Sequence, residues 1–127
     1  MSNVPEDLKY TKEHQWVRVD GDFAIVGITD HAQNELANIV YAEVPKIGSI
    51  VRKGDVLGAV ESVKTVAEVY SPVSGEVVKS NVQLEESPQL INESPYSKGW
   101  IAVIKISDPS ELSDLLDAEG YRKSIGE

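Results

Sequence analysis

Apolar and polar residues alternate along 16–28 (WVRVDGDFAIVGI), with a break at Asp20-Gly21-Asp22. Alternation at period two puts every second side chain on one face of a strand. A glycine at the break supplies the positive φ of a tight turn, so the segment reads as a β-hairpin. The period then changes. In TDHAQNELAN, Thr29 is placed to cap a helix built around Ala32 and Leu36. At about two turns such a helix must be held by packing. From Ile39 onward, the β-rich runs IVYAEV, VLGAVES, TVAEVYSP, SGEVVKS and GWIAVIKIS are punctuated by Pro and Gly, the spacing of a small all-β sandwich or barrel. SPQLINESPYSKG reads as a Pro- and Ser-rich loop. Near the end, Asp108 is an N-cap, Pro109 sits at the first helical position and Glu111 completes a capping box. Leu112, Leu115 and Leu116 then make one apolar stripe, which predicts a C-terminal helix over about 108–118 packed on the β body.

A set of turn and core residues repeats at an offset of 27: Pro45, Gly48, Val51, Gly54 and Leu57 recur as Pro72, Gly75, Val78, Asn81 and Leu84. Asparagine is the next best residue after glycine at a left-handed position, so Asn81 is expected to take the backbone state of Gly54. Two copies are too few for a solenoid. They suggest two similar half-sheets about an approximate two-fold axis. Lys64, in the run VLGAVESVKTVAEVYSP, falls between the copies and is expected at a protruding hairpin tip.

Composition narrows the functional classes. The 127 residues, 41% hydrophobic and 26% charged, suit one globular domain over 1–127. Lys and Arg number 12 against 21 Asp and Glu, a net charge of −9, which repels phosphate backbones and anionic lipid; nucleic acid and membrane are not expected partners. The chain has no cysteine, hence no disulfide framework, thiolate nucleophile or cysteine zinc site. Its first residues have neither a basic segment followed by an apolar one nor an Arg-rich transit pattern. The apolar runs FAIVGI and WIAVI fall far short of the roughly 20 residues of a membrane span. A soluble, cytoplasmic monomer is the expectation.

Candidate chemistry is sparse. His14 and His31 stand in separate segments without metal-ligand spacing, and none of the glycine-rich nucleotide or hydrolase motifs occurs. Ser62 and Lys64 are two apart, and on one strand they face the same side. A Ser/Lys hydrolase is thus the one catalytic reading. It needs a desolvated lysine whose pKa has fallen from about 10.4 toward neutrality, and a hairpin tip is wet. A β-rich interaction domain is another class left open. Glu61 and Glu68 read as a solvated charged face, and Trp16, Trp100, Tyr96 and Phe23 as core anchors and loop clamps. Lys64 has a plain reading too, as an edge-protecting charge, but that does not account for its central place.

Taken together, KYTKEHQWV, GITDHAQNELANIVYAEV, ESVKT, SPVSGEVVKSN and INESPYSKGW, in this order, resemble the glycine cleavage H proteins, a lipoyl-carrying family. The resemblance spans nearly the whole chain. It implies a mainly β barrel-sandwich hybrid with short added helices, and lipoate in amide linkage on Lys64. Biotin carriers flank their lysine with methionines, whereas here Val63 and Thr65 flank it. The resemblance implies no catalysis by the chain itself. Its arm takes an aminomethyl group and electrons at glycine decarboxylase (P protein) and passes them to the aminomethyltransferase (T protein) and dihydrolipoyl dehydrogenase (L protein), after a lipoate-attaching enzyme has loaded it. A relay that donates lipoyl groups to other lipoyl proteins would use the same lysine. The loaded arm is expected to rest in a groove bordered by Glu68 and by the His14–Trp16 and Ile28–His31 segments. Glu61, Glu68 and His31 are therefore candidates for that groove or for recognition by the attaching enzyme. Gln15 and Asn38 stand where the family more often has Glu and Asp.

Overall fold

A computed structural model describes residues 3–127. The hairpin read from the alternation is β2 (Gln15–Asp20) against β3 (Phe23–Ile28), with Asp20 opposite Phe23. Gly21 takes φ +59 at the first central position of its turn, where hairpin turns of the primed kind place glycine. A short β1 (Lys9–Tyr10) adds to the outside of β2. Thr29 caps α1 (Asp30–Leu36), its side chain accepting the Ala32 N–H as expected.

The body follows as β4 (Ile39–Glu43), β5 (Ile50–Val51), β6 (Val56–Ser62), β7 (Val66–Tyr70), β8 (Gly75–Ser80) and β9 (Ala102–Ile106). They form two antiparallel sheets, ordered β1-β2-β3-β9-β8-β5 and β4-β6-β7. Val26, Val60, Val77 and Ile104, each at most 1% exposed, fill the core between them. This is the mainly β barrel-sandwich expected. The 27-residue repeat does not carry backbone states with it, however. Gly48 and Gly54 have φ +94 and +93, while Gly75 and Asn81 are not left-handed. Asn81 is instead buried, and its amide donates to the carbonyls of Lys98 and Trp100 at 2.9 and 2.8 Å. A side-chain amide is kept there for its donors.

A single turn, α2 (Gln83–Glu86), stands just before the 87–99 stretch expected as loop, and another, α3 (Leu90–Glu93), lies within it. Leu84 and Ile91, fully buried, pin these single turns to the core. Their brevity hides them from periodicity, which needs longer windows. Near the C-terminus, Asp108 caps as expected, but the single helix over 108–118 is two elements: a 3-10 helix, Pro109–Asp114, and α4, Ala118–Ser124. Leu116 is drawn out of helical geometry by Tyr10, with which it exchanges both backbone hydrogen bonds at 2.8 Å. Glu111 does not close a capping box; its carboxylate takes the N–H and hydroxyl of Ser74 at 2.7 and 2.8 Å, clasping the 3-10 helix to β8.

A second apolar cluster lies outside the sandwich: Val4, Leu8, Tyr10, Trp16, Ala118 and Tyr121. The rings of Tyr10 and Tyr121 stack at 4.7 Å. Trp16 is fully buried and donates to the Pro95 carbonyl at 2.8 Å. A Cβ on Gly27 would meet its indole at 2.6 Å, so only glycine fits opposite that ring. Phe23, expected as an anchor, is 39% exposed at the end of the hairpin. Among the described residues no helix is long and apolar enough to cross a membrane.

Candidate functional site

Strands β6 and β7 form a hairpin whose last register pair is Glu61 with Val66. Lys64 therefore stands at its tip, as expected, although the repeat that pointed there is not a repeat of backbone states. The Ser62 N–H donates to the Thr65 carbonyl at 2.8 Å, which leaves Val63 and Lys64 as the loop, and two-residue hairpin loops normally require positive φ at a central position, usually from glycine. Neither Val63 nor Lys64 has positive φ. Ser62 makes the turn possible. Its Oγ accepts the N–H groups of both Lys64 and Thr65 at 3.1 Å, and donates to the Thr65 carbonyl at 3.2 Å. The Val63 N–H goes to the Asn38 carbonyl at 3.1 Å. Every amide of the tip is thereby satisfied, and serine does locally what glycine does elsewhere. The exposed Lys64 Nζ has one long contact, 3.4 Å, to the carbonyl of Glu35.

This geometry removes the Ser/Lys hydrolase. The Ser62 hydroxyl is engaged within its own turn and 6% exposed, and Lys64 lies in solvent. A nucleophile needs a free lone pair aimed at a substrate and a desolvated base.

Beside the hairpin, a cavity of about 280 Å³ opens between α1 and the edge strand β7. His14, Ile28, His31, Glu35, Val60 and Glu68 are among the residues that line it. The structure thus brings His31 and Glu68 together, from segments far apart in sequence. It does not bring Glu61, which alternation places on the other face of β6 from Val60, in solvent. Trp16 lies away from the cavity, in the second cluster.

His14 and His31 proved to be neighbours, with ring centroids 4.9 Å apart. Nothing in their spacing could show this, since β2 and α1 approach only through the fold. Among the described residues no group of three or more His, Asp or Glu is placed to hold a metal ion. His14 has φ +71, and its Nδ1 shares a hydrogen bond of 2.8 Å with the Tyr121 hydroxyl, which meets Thr29 Oγ1 at 2.7 Å. Burial, and then the adjacent His31, lower the His14 pKa from its ordinary value. Burial pushes the Tyr121 phenol up to about 12 against the opposing effect of the Thr29 hydrogen bond. Gln15 borders the cavity, yet both ends of its amide are engaged in the 11–15 loop: Thr11 Oγ1 donates to its Oε1 at 2.6 Å and its Nε2 donates to the Glu13 carbonyl at 3.0 Å. Asn38 serves the tip through its backbone, so the side chain at that position matters little to the turn.

An exposed amine on a fully satisfied turn, next to an apolar cavity with a carboxylate at its rim, is an arrangement suited to attachment. Comparison with known proteins gives the family. The family model described as glycine cleavage H-protein matches residues 8–127. The glycine cleavage system H protein of Staphylococcus haemolyticus is 53% identical over 124 residues, 98% of each chain, and that of Staphylococcus carnosus is 52% identical over the same share. A crystal structure of a glycine cleavage system H protein from Mycobacterium marinum superposes with a TM-score of 0.90 at 32% identity, covering 98% of this chain and 100% of that one. Sequence and fold agree along the whole length: the chain belongs to the glycine cleavage H-protein family, the lipoyl carriers of that system.

Proposed function

We propose that the chain is a carrier without catalysis of its own, bearing lipoate in amide linkage on Lys64 Nζ. The observation that carries this reading is the tip itself: Ser62 and Asn38 hold every amide of the turn, so the exposed Lys64 amine is presented on a rigid support. In attachment the lysine nitrogen bonds to an activated lipoyl carbonyl, the bond to the activating group breaks, and the amine proton passes to the attaching enzyme. Amide formation removes the lysine charge. When bound, the group supplies a dithiolane able to accept an aminomethyl group and two electrons. Tethering replaces diffusion by a high effective concentration at glycine decarboxylase, the aminomethyltransferase and dihydrolipoyl dehydrogenase in turn.

The cavity beside Lys64 is the resting place for the arm in this reading. Glu35 links the two, since it lines the cavity and its carbonyl meets Lys64 Nζ. Val60, Ala67 and Leu36 offer apolar walls to the hydrocarbon chain, and the Glu68 and Glu35 carboxylates attract a terminal ammonium. A monomer acting in the cytoplasm completes the proposal.

Incubation with a lipoate ligase, lipoate and ATP tests the attachment. Intact mass should rise by one lipoyl group in the wild type and not in Lys64→Arg; an unmodified wild type refutes the reading. Glycine–bicarbonate exchange by the decarboxylase, stimulated by the lipoylated chain, then tests the system assigned. Lipoylation without stimulation assigns the chain to lipoyl relay instead.

A further inference from the structure

Exposed apolar side chains gather on one side of the lysine hairpin. Tyr41, Glu61 and Val66 stand side by side in register across β4, β6 and β7. Tyr41 is 49% exposed, Val66 58% and the adjoining tip residue Val63 68%. The inward residues of the same strands, Ala42, Val60 and Val69, are each 1% exposed. The row is therefore the outer face of the sheet, opposite the side on which Val60 lines the cavity. These strands carry Glu43, Glu61 and Glu68 and no lysine or arginine.

We propose that this outer face is the docking surface for the enzyme that acylates Lys64, an enzyme presenting an apolar centre within a basic rim. The proposal rests on Lys64 being the attachment site. Reach selects this occupant over the others. Before acylation the amine extends only a four-carbon stem from the tip, so an acylating active site must come up against the turn and cover the strands beside it. Enzymes that act on the finished arm meet its far end and have no need of that face. Tyrosine at the middle of an interface and acidic residues around it match how contact surfaces divide affinity from encounter rate. The face supplies binding only; the amide forms as the lipoyl adenylate releases AMP, and the proton leaves with the enzyme.

The test is steady-state lipoylation of the unmodified protein by purified lipoate ligase with lipoate and ATP, followed by intact mass. Tyr41→Thr/Val66→Thr places strand-favouring β-branched residues at both exposed positions. Its kcat/KM should fall about tenfold, mainly through KM. Once fully lipoylated at high ligase concentration, its arm should be reduced by NADH through dihydrolipoyl dehydrogenase at the wild-type rate, NADH giving the two electrons that open the disulfide. Wild-type lipoylation kinetics in the double variant overturn the docking face while leaving Lys64 as the site. Equal losses in lipoylation and reduction overturn the choice of the acylating enzyme. A wild type that is not modified, or a Lys64→Arg variant that is, overturns the attachment reading and the face with it. If the double variant does not fold, Glu61→Lys decides: KM should rise, and an unchanged KM refutes the proposal.

Discussion

The Val63 N–H donates to the Asn38 carbonyl at 3.1 Å, so the residue that precedes β4 holds the tip of the lysine hairpin. Asn38 is itself placed by Ala37, whose φ of +65 and ψ of −144 are costly for a residue with a Cβ. Asn92 on α3 secures this bend from both sides. Its Nδ2 donates to the Ala37 carbonyl at 2.8 Å and to Gln33 Oε1 at 2.9 Å, and its Oδ1 accepts the Ile39 N–H at 2.9 Å.

Asn92→Ala is expected to release that bend and with it the tip. Stability should fall by about 1–3 kcal/mol, the cost of stranding backbone partners. Amide exchange should quicken selectively at Val63 and Ile39 while the core amide of Ile104 keeps its protection relative to global stability. Uniform exchange changes would show that Asn92 serves general stability only.

Ser62→Ala leaves the N–H groups of Lys64 and Thr65 without their acceptor. Thermal denaturation should register a loss of about 1 kcal/mol. Lipoate should still be attached, more slowly, because the lysine remains but its support loosens. Complete loss of attachment in a folded variant would give Ser62 a chemical role that its hydrogen bonds do not suggest.

The pH dependence of stability follows from His14, whose pKa is lowered first by burial and then by His31, against the pull of Glu13 and Glu35. A histidine with a lowered folded pKa takes up protons more readily when unfolded. Its contribution is therefore present above the ordinary value of about 6.5 and is lost as pH falls through the window beneath it. Tm should decline as pH falls below about 6.5. His14→Asn removes the titration, and asparagine tolerates the φ of +71 at this position. A Tm profile equally steep in the variant would refute the assignment to His14.

Glu68→Ala removes a carboxylate from the cavity rim. In the lipoylated protein loaded with an aminomethyl group, loss of that group to water should accelerate by about threefold, the scale of one part-exposed ion pair. Hydrolysis at the wild-type rate means that Glu68 does not hold the ammonium.

The amino-acid sequence by itself determined the β2–β3 hairpin, the Thr29 and Asp108 caps and the exposed position of Lys64. Each depends on residues within a few positions of one another, where periodicity and capping operate. It also carried the family, because several motifs keep their order. The tertiary structure alone decided the rest. Leu116 left the helix because Tyr10 offered its backbone hydrogen bonds, and Asn81 kept its amide for Lys98 and Trp100 rather than for a left-handed turn. His14, His31 and Glu68 line one cavity, yet no local pattern joins β2, α1 and β7. Glu61 and Glu68 share the outward phase of their strands, and only Glu68, on the edge strand β7, also reaches the cavity rim. Contacts between distant segments are set by how sheets and helices pack, and that packing satisfies partners which no short window contains.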